Sequence, residues 1–174
     1  MQTNILIKSE AEFSKDESAT HRYLLKKVWD EEKSIVTIIM LNPRKETDAL
    51  YLDKSVMLFM NYCISKNFGG FYIVNLFSYR CNSESKLKAI DYDKRYDQQT
   101  DKWIRHAVNN SVKLYIGWGS NNNRKKRIKQ IQEMLRECND IDIVKLNTVD
   151  DREVHMSRST LKKTEVVINI DKIL

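Results

Sequence analysis

The run Ile35-Val36-Thr37-Ile38-Ile39-Met40-Leu41 is almost continuously apolar and rich in β-branched residues. Side chains of a strand alternate between two faces. A run without polar alternation therefore needs cover on both faces. This segment excludes a sheet with one solvated side and calls for helices above and below. It stops at Asn42-Pro43, where proline removes a backbone donor.

The remaining chain supplies such helices. Asp53–Lys66 reads as a helix capped by Asp53, with Val56, Met57, Phe59, Met60, Cys63 and Ile64 at three- and four-residue steps. Tyr96–Val108 places Thr100, Trp103, Ile104, Ala107 and Val108 on one face, and Asn122–Cys138 turns Ile128, Ile131, Leu135 and Cys138 inward. Between them lie strands at Phe71–Asn75, Val112–Ile116, Ile141–Leu146 and Glu165–Ile170. Tyr23–Trp29 fits either period and is read as a strand. Glu10–Thr20, Cys81–Tyr92 and Asp150–Thr160 are polar and read as loops or an exposed arm. The alternation predicts an α/β fold: three layers, α/β/α, around a central, mostly parallel sheet. All 174 residues are read as one domain, with 1–20 a peripheral strand and exposed arm. Right-handed crossovers then bring Asn42, Asn75, Trp118 and the loop after Leu146 to one sheet edge.

The net charge of +6 points to an anionic partner, nucleic acid first. Cys63, Cys81 and Cys138 form no CxxC pair, which argues against a zinc site or a disulfide framework. The first residues lack a signal-peptide pattern and no apolar run reaches the roughly 20 residues of a membrane span. A cytoplasmic monomer that does not enter membranes is expected.

Four features at the strand ends can carry chemistry. Asn42 before Pro43 either orients a water or forms a plain turn. Asn75 ends an apolar strand ahead of Phe77, Tyr79 and Arg80. It either caps the next turn or reads the edge of a planar heterocycle with its paired acceptor and donor. Gly117-Trp118-Gly119 precedes Arg124-Lys125-Lys126-Arg127. Cations at a helix N-terminus oppose its dipole, so they suggest phosphates or else form a solvated face. His155, Ser157, Arg158 and Ser159 lie in a loop of hydroxyls and cations, with Lys162 beyond. There His155 can donate to a developing anion. His21 and His106 read as surface residues.

In motif order the chain resembles the uracil-DNA glycosylase superfamily, through the bacterial group called domain of unknown function 1643. The segments that carry the resemblance are Arg22-Tyr23-Leu24-Leu25…Trp29, Met40-Leu41-Asn42-Pro43 and Asn75-Leu76-Phe77-Ser78-Tyr79-Arg80. The resemblance implies a glycosylase-like fold in which Asn42 holds the attacking water. Asn75 hydrogen-bonds the flipped base, and His155 stabilises charge on the leaving base. Tyr51 is the first candidate for the stacking aromatic, with Phe77 and Tyr79 behind it. Pro43, Arg44 and Arg80 complete the substrate side. Ser120, Arg124, Lys125, Lys126, Ser157, Arg158, Ser159 and Lys162 would contact DNA. Arg44 stands where uracil enzymes carry a tyrosine, and Met156–Arg158 where they carry prolines and a wedge leucine.

The expected activity is slow excision of uracil or a related base from single- or double-stranded DNA, with no metal or organic cofactor. An asparagine can position a water but not deprotonate it. The alternative is an inactive member of the fold that binds DNA or an acidic DNA-mimic inhibitor protein.

Overall fold

The computed structural model describes residues 4–119, 124–147 and 164–173. In chain order the elements are β1 (Lys8–Phe13), β2 (Arg22–Val28), β3 (Ile35–Met40), α1 (Lys54–Ser65), β4 (Gly70–Asn75), α2 (Glu84–Ala89), α3 (Gln98–Asn109), β5 (Lys113–Ile116), α4 (Lys125–Leu135), β6 (Asp142–Asn147) and β7 (Thr164–Ile168). The strands form one sheet in the order β1-β2-β4-β3-β5-β6-β7.

Strand β3 lies at the centre, and its apolar run is covered on both faces as its composition demands. Val36, Ile38 and Met40 pack with Val56, Phe59 and Cys63 of α1. Ile39 faces the other way, into a cluster with Ile104, Ala107 and Val108 of α3 and Ile128 and Ile131 of α4. Thr37 is the polar exception within the run. Its hydroxyl donates to the Ala107 carbonyl at 3.0 Å and shares a hydrogen bond with Ser111 Oγ at 2.7 Å. Full burial of each such aliphatic side chain contributes about 1.5–3 kcal/mol. Truncating Ile38 or Ile39, both sealed from solvent, to alanine costs about 2–5 kcal/mol.

The expected mostly parallel sheet is corrected to a mixed one. The inner strands β4, β3, β5 and β6 are parallel. Strand β2 is antiparallel to β4, β1 to β2, and β7 to β6. The reason lies in the link between β2 and β3. Residues 29–34 are too few for the dozen or so that a parallel crossover requires, so the chain reverses and β4 inserts between the two strands. The Trp29 and Asp30 amides donate to the Gly69 carbonyl at 2.9 and 3.0 Å, and the Gly69 amide donates to Ser34 at 2.9 Å. A Cβ at position 69 would sit 2.0 Å from the Asp30 carbonyl oxygen, so only glycine fits this crossing.

Three further differences have local causes. The segment expected as an arm from Glu10 begins as the edge strand β1, whose pairing is backbone-driven and whose side chains never become fully buried. The polar connection after Cys81 contains α2, capped by Ser83 and burying only Leu87. The apolar stripe of α1 is narrower than its sequence suggests, because Met57 and Ile64 are about half exposed. Among the described residues no helix is long and apolar enough to cross a membrane.

Candidate functional site

From β3 the chain passes through α1 to β4 on one flank. From β4 it passes through α2 and α3 to β5 on the other flank of β3. The loops leaving β3 and β5 therefore part toward opposite faces of the sheet. Open α/β sheets bind ligands at this kind of switch, outside the carboxyl ends of the strands. A cleft of about 180 Å³ opens there, lined by Asn42, Arg44, Asp53, Cys81, Glu84 and Arg124 among others.

Asn42 leaves β3 with its amide nitrogen tied down. Nδ2 donates to the Cys81 carbonyl at 2.8 Å and the Pro43 carbonyl at 3.1 Å, and lies 3.3 Å from Cys81 Sγ. The buried Pro43 also accepts from the Cys81 amide at 3.0 Å. These contacts clasp the chain after β4 to the chain after β3. No described residue donates to Asn42 Oδ1, and Asn42 lines the cleft. Burial raises the pKa of the Cys81 thiol, which keeps it protonated and unreactive.

Carboxylates of the cleft are engaged. Asp53 Oδ1 caps α1 by accepting from the Ser55 and Val56 amides at 2.8 and 3.0 Å, and Oδ2 accepts from Thr47 Oγ1 at 3.1 Å. Glu84 pairs with Arg124 at 2.9 Å. Burial alone would raise the Glu84 pKa, but the bonds and charges of Arg124 and Lys88 outweigh it and hold the carboxyl below its usual range.

Asn75 closes β4 opposite Met40 and is only 2% exposed. Its Oδ1 accepts from Arg22 Nη2 at 3.4 Å. Arg22 opens β2 and is itself buried. Among the described residues its other nitrogens reach only the Thr47 carbonyl at 3.4 Å, and Nε has no partner. Burial pushes the guanidinium pKa down to about 10, against the pull of Asp53. The sequence assigned Arg22 no role. A cation opening a strand whose neighbours are apolar was the available signal.

The residues after Asn75 part company. Phe77 is core, packed against Tyr92 and Tyr96 at 6.1 and 6.0 Å. Tyr79 packs edge-on to His21 at 5.7 Å. Arg80 donates to the Ala19 carbonyl at 2.9 Å and to the Lys45 carbonyl, with its guanidinium 4.9 Å from the Phe13 ring centre. Tyr51 is 68% exposed, on a turn where the Leu50 and Tyr51 amides donate to Asp48 Oδ1 at 2.7 and 2.8 Å. Arg44 is exposed and reaches the Asn82 carbonyl at 3.4 Å.

The basic run at α4 divides by helical position. Arg124 is buried, bonded to Glu84 and to the Trp118 and Gly119 carbonyls. Arg127 is also buried. It donates to the Leu76 carbonyl at 2.8 Å, pairs with Asp101 and stacks 3.8 Å from the Tyr96 ring centre. Lys125 and Lys126 are exposed. Gly117 is explained by packing, since a Cβ there would meet Ile38 Cδ1 at 2.7 Å. Ser120, His155, Ser157, Arg158, Ser159 and Lys162 lie outside the described residues.

His21 is not a simple surface residue. It stacks on Tyr23, and its Nδ1 shares a hydrogen bond with Ser78 Oγ at 2.8 Å. Burial lowers its pKa, although Asp97 and Asp16 pull the other way. His106 is exposed, edge-on to Tyr72 and Trp103.

No curated protein and no solved structure matches the chain. The model of one family, described as Protein of unknown function (DUF1643), matches residues 22–155. That span opens at Arg22 and takes in Asn42, Asn75 and the basic run of α4, and the chain belongs to that family.

Proposed function

We propose that the protein is a glycosylase-type DNA-binding enzyme that takes up a flipped-out base, uracil or a close relative, and excises it slowly. The disposition of Asn42 carries this reading. With Nδ2 held by Cys81 and Pro43, Asn42 lines the switch-point cleft with its carbonyl oxygen claimed by no described donor. An acceptor fixed in this way can orient a water for attack on the sugar of an extruded nucleotide. The cleft, at about 180 Å³, is smaller than the roughly 300–1,000 Å³ of common small-molecule sites and suits a single ring. Exposed Tyr51 beyond Asp53 is the aromatic available for stacking, and Phe77 is committed to the core. His155 remains the proposed stabiliser of the leaving base.

The test is release of free base from uracil-containing single strands and duplexes at enzyme excess. Wild type should release uracil, and Asn42→Ala, Asn75→Ala and His155→Ala should not. Wild-type protein that releases no base from either substrate sinks the enzyme reading. A second reading is then favoured by the burial of Asn75 behind Arg22: an inactive relative that binds DNA or an acidic DNA-mimic protein through the same cleft. Binding without release is its signature.

A further inference from the structure

Tyr79 and Arg80 do not line the cleft. With Ser18, Ala19, Thr20 and Lys45 they line a separate pocket of about 400 Å³. Among the described residues the two hollows share no lining side chain. A clasp divides them: the Cys81 amide donates to the Pro43 carbonyl at 3.0 Å, and the Lys45 amide to Asn82 Oδ1 at 2.9 Å. The described lining of the pocket carries two cations and no carboxylate.

Neutral groups fix Arg80 there. Nη1 donates to the Ala19 carbonyl at 2.9 Å and Nη2 to the Lys45 carbonyl, which leaves one hydrogen on each nitrogen for another acceptor. The guanidinium lies 4.9 Å from the Phe13 ring centre. Ala19 brings its carbonyl to Arg80 from a left-handed backbone, φ 44°, which is unfavourable for a residue with a Cβ. Among the described residues Lys45 makes no ion pair and no side-chain hydrogen bond, and the Ser18 and Tyr79 hydroxyls are likewise unclaimed. The carboxylates nearby serve other groups. Asp16 accepts from the Thr20 amide and hydroxyl at 3.0 and 2.6 Å, Glu46 from Asn82 Nδ2, and Asp48 from the Leu50 and Tyr51 amides.

We propose that this pocket is a binding site for a phosphate monoester, carried by a free nucleotide or by the 5′ end of a nucleic-acid strand. Lys45 and Arg80 supply two positive charges, which match the charge of about −1.5 to −2 on a phosphate monoester at pH 7. A carboxylate would balance only one of them. The Lys45 ammonium, the remaining Nη hydrogens of Arg80 and the Ser18 and Tyr79 hydroxyls are donors suited to its three oxygens. The volume lies within the roughly 300–1,000 Å³ of small-molecule sites, which leaves room for the group that bears the phosphate. The inference goes beyond the glycosylase reading and stands without it, because different residues line the two sites.

The test titrates the intact chain with adenosine 5′-monophosphate and with adenosine, followed by protein-detected NMR. The monophosphate should bind at least roughly 10-fold more tightly, the worth of one hydrogen bond between charged groups, and should shift the Tyr79 and Arg80 amide signals. Inorganic phosphate should displace it. Lys45→Ala and Arg80→Met should each weaken the monophosphate by roughly 10-fold or more. Lys45 is exposed, so Lys45→Ala carries the test if Arg80→Met fails to fold. Lys102→Ala, at an exposed position of α3, controls for net charge and should change nothing. A thymidine octamer with a 5′-phosphate that outbinds its 5′-hydroxyl form by the same factor makes a strand end the occupant, and equal binding of the two makes it the free nucleotide. Wild-type protein that binds no monophosphate, or binds it no better than adenosine, overturns the proposal. So does a folded Lys45→Ala that binds as wild type does, or a Lys102→Ala that is weakened equally. None of these outcomes bears on release of uracil.

Discussion

Arg124 of the α4 cap and Glu84 at the start of α2 lie 2.9 Å apart at the wall of the cleft, with the arginine side chain 8% exposed and the glutamate 36%. The pair ties together two segments that share no strand. Glu84→Ala leaves a buried guanidinium held, among the described residues, by the Trp118 and Gly119 carbonyls. The expected cost is about 1–3 kcal/mol, between the surface and buried limits for ion pairs. Urea unfolding of Glu84→Ala, Arg124→Met and the double variant measures it. A coupling energy of zero would show that the pair contributes nothing to holding the cleft wall.

A second anchor makes stability depend on pH. Glu165 of β7 accepts from the Tyr62 and Tyr115 hydroxyls at 2.6 Å each and pairs with Lys113 at 2.8 Å. Burial alone would raise its pKa, but these bonds win and bring it down to about 2. In the unfolded chain the group titrates near its ordinary value of about 4.3. Between these values the unfolded state binds the extra proton, so stability rises with pH. The contribution, on the order of 2–3 kcal/mol, is fully present above about pH 4.5 and is lost as pH falls toward 2. Urea midpoints of wild type and Glu165→Gln across pH 2–6 test this. The variant should lack that part of the slope, and parallel curves would refute the assignment.

The buried strands and their polar ends were legible because hydrophobic period is a local signal. Ile35–Leu41 announces a two-sided strand, and the parallel set β4, β3, β5 and β6 brings Asn42, Asn75 and Trp118 to one edge. What escaped depends on distant partners. A lysine or arginine reads alike whether it faces water or a carboxylate, and Arg124 meets Glu84 across 40 positions of chain while Arg127 meets Asp101. Phe77 turns inward because pairing with β3 continues past Asn75: the Leu76 and Phe77 amides donate to the Met40 and Leu41 carbonyls at 2.9 and 3.0 Å. Strand β1 and helix α2 bury too little apolar surface to show a period.

Asn42 offers a gain-of-function test of the proposed chemistry. An amide can only orient the water, whereas a carboxylate at the same point can also take its proton. General-base catalysis is worth about 10²–10⁴ in rate. Asn42→Asp should therefore release uracil faster than wild type, by at least about 10² if the water geometry survives. The substitution sets a carboxylate oxygen against the Cys81 and Pro43 carbonyls now served by Nδ2. It should lower stability by about 1–3 kcal/mol, which thermal unfolding will register separately from rate. A folded Asn42→Asp that is no faster would argue against Asn42 as the water-holding residue.

Burial, rather than charge, decides which cations at α4 can meet DNA. Lys125 and Lys126 project to solvent, with Lys126 Nζ 4.9 Å from the Tyr92 ring centre. Arg127, buried beneath them, serves the Leu76 carbonyl and Asp101. If the two lysines contact phosphates of a single strand, each one lost lowers the slope of log affinity against log salt by about 0.7. The double variant Lys125→Ala, Lys126→Ala should therefore bind an oligonucleotide with a slope about 1.4 smaller, at unchanged stability. Arg127→Met should do the reverse. It removes a partner from a carbonyl and a partly exposed carboxylate, at about 2–4 kcal/mol of stability, and leaves the salt slope of the folded protein as it was. Titrations from low to moderate salt, paired with urea unfolding of each variant, separate the two. A salt slope that follows Arg127 rather than the lysines would show that the phosphate surface lies elsewhere on the molecule.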